Sequence, residues 1–278
     1  MTEPSMPGKD AVEQLDGEHI TRLLRASPLP ALMVLDEVDS TNNAVRDIAV
    51  QPGQAAVCLA EFQTAGRGRL DRRWLVPSGG GICFSVARRI NRPANLLAGL
   101  SLAVGVALRG ALLDTGVDGV SLKWPNDLLL PGGKVGGILI ELVNPTIDGA
   151  TVIVGSGINF SLSSSAREAV HATGGQPAAL RDVTPTVRRN AVAAALIDAV
   201  IDALTRFESS GLSAFREEWL AADAMRDREV FVLTGADRVR GVARGIDSIG
   251  ALAVDVDGER RYFAAGEVSL RRAADAPD

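Results

Sequence analysis

Two apolar stretches with helical period alternate with short strand-like runs, and that alternation limits what the chain can fold into. The first covers residues 94–113, where Leu97, Leu100, Ala103-Val104, Ala107-Leu108 and Ala111 recur at helical spacing. Gly99, Gly105 and Gly110 would be costly in an exposed helix, so this one is expected to pack closely on a neighbour. The second begins at Thr184-Pro185 and carries Val192, Leu196, Ala199-Val200, Ala203-Leu204 and Phe207 on one face. Candidate strands cover residues 31–35, 55–62, 82–87, 120–124, 128–130, 134–141 and 150–160, with a Pro-Gly-Gly hairpin signal at 131–133. Short helices are expected over 18–25, over 212–221, and from the capping triplet Ser40-Thr41-Asn42 to about Val50. Residues 161–182 read as loop. Beyond Asp223 the character changes: short strand candidates at 229–234, 238–246, 251–256, 260–263 and 268–270, separated by Gly and Asp turns, have the pattern of a small all-β barrel. The expected division is a disordered tail over 1–17, a main domain over 18–223 and a small domain over 224–274.

Composition serves mainly to exclude. The net charge of −5 argues against broad nucleic-acid binding by field alone. Histidine is limited to His19 and His171, which disfavours a histidine zinc site and a Ser-His-Asp hydrolase. Cys58 and Cys83 each lie in an apolar run and read as reduced core residues. With no signal-peptide hydrophobic region and no membrane-spanning run, a cytoplasmic protein is expected.

Against that acidic background one stretch stands out, Gly66-Arg67-Gly68-Arg69-Leu70-Asp71-Arg72-Arg73-Trp74, following the strand at 55–62. Its glycines let the backbone approach a ligand, its arginines offer forks for phosphate or carboxylate oxygens, and Trp74 can stack on a base or cover an apolar site. Such a loop suits an anion attached to something flat; a solvated basic turn is the plain alternative. Ser40-Thr41-Asn42 likewise reads either as a cap or as a polar wall at a helix N-terminus.

The order of Asp39-Ser40-Thr41-Asn42, Gly66-Arg67-Gly68-Arg69, Arg72 with Trp74, Lys123-Trp124-Pro125-Asn126-Asp127, Lys134-Val135-Gly136-Gly137-Ile138-Leu139-Ile140-Glu141 and Gly155-Ser156-Gly157-Ile158-Asn159 closely resembles the biotin protein ligases. Each motif alone is weak, but the ordered set is specific. The resemblance implies an α+β fold: a mixed, mostly antiparallel sheet with helices packed on one face, similar to class II aminoacyl-tRNA synthetases, followed by a small SH3-like barrel. It implies that biotin and ATP form biotinyl-AMP and pyrophosphate, after which a carrier lysine displaces AMP, with Mg²⁺ helping to neutralise the triphosphate. The partner implied is a biotin carboxyl carrier domain of a biotin-dependent carboxylase. The chain looks like the short form of the family, without the DNA-binding domain of the repressor type, so no specific DNA binding is expected.

By the same resemblance, Lys134 lies beside the biotin carboxylate and α-phosphate and heads the catalytic residues, with Arg67, Arg69 and Asp127. Asp127 is implied to orient or deprotonate the carrier lysine, or else is a turn aspartate. Ser40, Thr41, Asn42, Gln63, Gly66, Arg67, Lys134, Gly136 and Gly137 are implied to hold biotin. Arg67, Arg69, Arg72, Trp74, Lys123, Asn126 and Asn159 are implied on the adenylate side; Lys123 instead has the option of pairing with an acid, and Arg271 of reaching the nucleotide or forming an interdomain ion pair. Trp124 leans towards core. No protein residue is assigned to metal. A lipoate or octanoyl transferase of the same broad fold would replace the Gly-Arg-Gly-Arg loop. A nucleic-acid module would need a basic field that this chain lacks.

Overall fold

The computed structural model describes residues 13–48, 53–70, 72–234, 237–266 and 268–272. In chain order the elements are α1 (Gly17–Leu23), β1 (Ala31–Val38), α2 (Thr41–Ala44), β2 (Ala56–Gln63), β3 (Gly81–Ile90), α3 (Leu100–Asp114), β4 (Ser121–Lys123), β5 (Asp127–Leu130), β6 (Gly133–Thr146), β7 (Gly149–Asn159), α4 (Ser164–His171), α5 (Leu180–Val183), α6 (Arg189–Ser210), α7 (Arg216–Ala222), β8 (Glu229–Thr234), β9 (Asp237–Ile246), β10 (Leu252–Val256), β11 (Glu259–Phe263) and β12 (Val268–Arg272).

The first seven strands form one sheet in the order β1-β2-β3-β7-β6-β5-β4. Only β1 and β2 run parallel; the remaining pairs are antiparallel. Side chains alternate across a pleated strand, so each strand divides its residues between two faces. On one face Val57, Leu59, Ile82, Phe84, Val86, Val152, Val154 and Ile158 join the core that also contains α3 and α6. Ala56, Cys58, Ala87 and Ile153 point the other way and form a small cluster with Val45, just after α2. Beyond that cluster the second face opens into the site described below. Helices therefore cover one face, as the sequence led us to expect. Cys58 and Cys83 are free and buried, and burial pushes both thiols up to about 11.

Several boundaries differ from expectation. The long helix starts at Leu100, after a 3-10 turn at Ala94–Leu96, because Gly99 takes φ +80° and a Cβ there would stand 2.8 Å from Leu212 Cδ2. The second starts at Arg189, five residues after Thr184. Residues 161–182, read as loop, contain α4, capped by the Ser163 hydroxyl, and the start of α5. The helix expected to reach Val50 stops as α2 plus a 3-10 turn, Val45–Asp47; residues 49–52 lie outside the described residues. The expected tail needs correction at its end. Leu15 is buried and its N–H donates to Glu61, and Arg189, 0% exposed, donates to the Glu13 and Gly81 carbonyls and to Glu61. A buried guanidinium must find acceptors, and the segment from Glu13 supplies one of them. Residues 1–12 lie outside the described residues.

The last five strands form an antiparallel sheet in the order β11-β10-β9-β8-β12. This suits an SH3-like unit, but its edge strands share no ladder among the described residues, so it is not a closed barrel. It is tied to the preceding part of the chain through backbone carbonyls. Trp124 Nε1, on a side chain 1% exposed, donates to Gly250 O at 3.0 Å, and Arg216 donates to Ile246 O at 2.8 Å. No helix among the described residues is long and apolar enough to cross a membrane.

Asp223 sits where the two parts meet, bridged to Leu122. Its Oδ1 accepts from Met225 N–H, its Oδ2 has no partner among the described residues, and burial pushes its carboxyl up to about 6. A raised folded value means that its stabilising contribution is complete below pH 3.8 and is lost as pH rises through about 6. Asp223→Asn should therefore flatten the fall in thermal midpoint between about pH 4 and pH 6.5. Parallel curves for the two proteins would reject this account.

Candidate active site

A cavity of about 730 Å³ opens on the uncovered face of the main sheet. Its two ends differ in chemistry. At one end α2 begins, and Ser40, Thr41 and Asn42, each 3% exposed, line the wall with Gln63 from the end of β2. Gln63 Oε1 accepts from Thr41 N at 2.9 Å and from Thr41 Oγ1 at 3.2 Å. Ser85 Oγ donates to Asn42 Oδ1 at 2.6 Å, and Asn42 Nδ2 to Glu141 at 2.7 Å. This wall is neutral, polar and already hydrogen-bonded, so it suits a ligand offering both donors and acceptors.

The floor is made by glycines on β6 and β7. A Cβ on Gly157 would stand 2.3 Å from Trp74 Nε1, and one on Gly155 would stand 2.1 Å from Asn42 Oδ1. The indole lies on the sheet because Gly157 has no side chain. Gly137 faces the same way, 3.6 Å from the indole by the same construction. Gly136 does not. The pleat turns it to the core side, where a Cβ would meet Ile158 Cδ1 at 2.4 Å, so its expected place in the lining is corrected. Gly66 likewise lies outside the lining. It sits at the base of the arginine loop, where Trp74 N–H donates to its carbonyl at 2.9 Å and a Cβ would be 2.5 Å from Trp74 O.

The other end is cationic. Lys134 Nζ lies 2.5 Å from Asp127 Oδ1 and 5.5 Å from the Trp74 ring centre, and Lys123 Nζ lies 3.8 Å from Asp127 Oδ2. Of the two options for Lys123, the acid pairing is the one present. Burial resists ionisation of Asp127, but the Lys134 and Lys123 ammonium groups outweigh it and hold the carboxyl below its usual range. Burial also pushes Lys123 down, opposed by Asp127 and reinforced by Lys134, Arg271 and Arg72. Among the described residues lining the cavity, five arginines and two lysines face this single carboxylate. Such an excess suits a polyanion.

The arginines do not act together. Arg67 and Arg73 bridge the base of a small hairpin, and Arg73 donates to Thr64 O at 3.0 Å. Arg67 turns away from Lys134 to Glu141 and Asn43. Arg69 reaches across the cavity to Asn126 Oδ1 at 3.3 Å and to the carbonyls of Gly266, at 2.6 Å, and Ala265. Arg72 lines the cavity near Arg69 and Lys123. Asn126 also donates to Ile138 O at 2.8 Å, which pins β6. Asn159 Nδ2 donates to Lys134 O and Ala178 O, so this residue positions the Lys134 backbone. The segment after α4 was missed in the sequence; Gln176 O accepts from Lys134 N at 2.7 Å, and Pro177 lines the cavity. Glu141 and Ser85 were missed as site residues too, although Glu141 ends a recognised motif.

No group of three Asp, Glu, His or Cys side chains among the described residues could hold a metal ion. The one carboxylate among the described lining residues, Asp127, is engaged by two lysines. The residues present therefore do not form a resident Mg²⁺ site.

Residues 34–159 match the biotin/lipoate A/B protein ligase family, and residues 227–271 match the biotin protein ligase C terminal domain. The chain is 35% identical over 274 residues to the bifunctional ligase/repressor BirA of Salmonella typhimurium, covering 97% of this chain and 84% of that protein. It is 33% identical to the biotin–[acetyl-CoA-carboxylase] ligase of Paracoccus denitrificans, covering 84% of this chain and 98% of that one. The structure of an Aquifex aeolicus biotin protein ligase in complex with biotin and ATP superposes with TM-score 0.72 at 28% identity, covering 87% and 99% of the two chains.

The cationic end makes a direct prediction. Asp127→Asn leaves two ammonium groups facing each other without a counter-charge, so the thermal midpoint falls. Inorganic pyrophosphate should then raise the midpoint of the variant more than that of the wild type. Unchanged midpoints, or an equal rise in both, would remove Asp127 as the counter-charge of this site.

Proposed function

The chain belongs to the biotin/lipoate A/B protein ligase family, and we propose that it works there as an ATP-dependent biotin–protein ligase. A biotin carboxylate oxygen attacks the α-phosphorus of ATP; the bond to the bridging oxygen breaks and pyrophosphate leaves. The amine of a carrier lysine then attacks the acyl carbon of biotinyl-AMP, AMP leaves, and the amine loses a proton. The observation that carries this reading is the layout of one cavity: a neutral hydrogen-bonding wall at one end, a cationic end at the other, and Lys134 where the cationic end meets the glycine floor.

The ureido ring has one carbonyl acceptor and two N–H donors, which the Ser40, Thr41, Asn42 and Gln63 wall can match. The apolar floor at Gly137, Leu139, Gly155 and Gly157 takes the hydrocarbon part. Lys134 then faces the reacting carboxylate and α-phosphate, where two anions meet and fixed positive charge counts most. Lys123, Arg69, Arg72 and Arg271 supply charge for the rest of the triphosphate. Asp127, held ionised, keeps Lys134 in place and becomes the candidate acceptor for the carrier lysine's proton once a ligand takes over the ammonium. Biotinyl-AMP is a mixed anhydride, so the arginine hairpin and Trp74 protect it by excluding water. No covalent enzyme intermediate is needed, and both buried thiols are poor nucleophiles. The carrier we assign is a biotin carboxyl carrier domain, in a cytoplasmic setting.

Biotin-dependent ATP–pyrophosphate exchange, with lipoate and octanoate as comparison acids, tests the assignment. Exchange with biotin alone is expected; exchange with lipoate instead would overturn the pocket assignment, and none with any acid from folded protein would overturn the activity. Lys134→Ala should lower exchange by about a hundredfold or more while leaving the thermal midpoint close to that of the wild type.

A further inference from the structure

One strongly engaged carboxylate, Glu141, stands outside the chemistry of the cationic end. Glu141 lies on β6, two pleats beyond Gly137 on the same face, and its side chain is 21% exposed. Three side chains from two segments converge on it. Asn42 of α2 donates from Nδ2 at 2.7 Å, and Arg46, from the turn after α2, lies at 3.3 Å. Arg67, from the loop, faces it with both fork nitrogens, Nη1 to Oε1 and Nη2 to Oε2, each at 3.1 Å.

We propose that Glu141 is a positioning residue for the biotin end of the cavity, and that Arg67 is its anchor on the loop rather than a phosphate ligand. The proposal rests on the biotin ligase reading of this cavity. Its geometry follows from the bonds. Asn42 has its donor end on Glu141 and its acceptor end on Ser85, and Ser85 also lies 2.8 Å from Thr41 Oγ1, which bonds Gln63. The carboxylate thus orients the polar wall through Asn42. Through the Arg67 fork it also fixes the residue between Gly66 and Gly68, at the hairpin base. The same fork takes Asn43 Oδ1 at 3.0 Å, so its donors point to the α2 side of the cavity, opposite the Lys134–Asp127 pair.

An exposed ion pair contributes little to stability, and Arg67 and Arg46 are 42% and 36% exposed. The arrangement therefore matters through ligand position rather than through folding. A carboxylate that is four-fifths buried with two guanidinium groups and an amide on it is far more constrained than a surface pair.

Steady-state exchange on the wild type, Glu141→Gln, Arg67→Ala and the double variant tests this. Each single change should raise KM for biotin about tenfold and KM for ATP by less than about twofold, with thermal midpoints near the wild type. The double variant should be no worse than the poorer single one, because both changes break one unit. Multiplying effects, or a rise confined to KM for ATP in Arg67→Ala, would place Arg67 on the phosphates and overturn the proposal. Limited trypsin cleavage within residues 67–73 reads the clamp without reference to activity. It should be faster in Glu141→Gln than in the wild type, and equal rates would reject the clamp even if the exchange assay itself had failed.

Discussion

Everything at the site depends on the central sheet having two unlike faces. Burying Val57, Ile82, Phe84 and Val154 under α3 and α6 commits alternate residues to the core. Their neighbours in sequence must then face the other way, and there no long helix covers them. Gly137, Gly155 and Gly157 fall on that side, as do Ser85 and Glu141. The cavity is thus the by-product of a one-sided core, and the glycines decide its depth. The same alternation sends Gly136, one residue from Gly137, into the helix layer against Ile158.

The electrostatics follow from where each charge finds a partner. A cluster of four arginines in nine residues reads as mutual repulsion, yet three of them end on separate acceptors. Arg67 goes to a carboxylate on β6, Arg73 to a carbonyl at the loop base, and Arg69 to carbonyls more than a hundred residues away in the chain. Among the described residues, Asp127 alone offsets the charge of Lys123 and Lys134. The cavity therefore keeps a positive end without a charged group buried alone, a state that would cost far more than a paired one.

Much of this was legible in the residues. Strand positions, the hairpin before Lys134, the burial of Trp124 and the change of character near Asp223 all follow from local pattern. Helix starts were less so, because Gly99 interrupts a run whose apolar period continues across it, and Thr184-Pro185 gives a start signal five residues before the helix begins at Arg189. The helix α4 was missed for a physical reason: none of its residues is buried, and its apolar stripe is only Ala166, Ala169 and Val170, too short to stand out. The acceptors of Arg69 were not readable at all. A backbone carbonyl leaves no mark in composition, and Ala265 and Gly266 approach Arg69 only because β11 and β12 are folded beside it. Gly136 is different. Its parity with Ile138 on one strand was available, and the motif was read there without its pleat.

The links between the small sheet and the site share one trait. Trp124 ends on the carbonyl of Gly250, and Arg69 ends on those of Ala265 and Gly266. These acceptors belong to the main chain, so their chemistry is indifferent to which side chains decorate the turns. The outer surface of the small sheet is thereby released from the task of holding the loop. Its residues are open to drift in sequence, while the turns' backbone shape preserves both attachments.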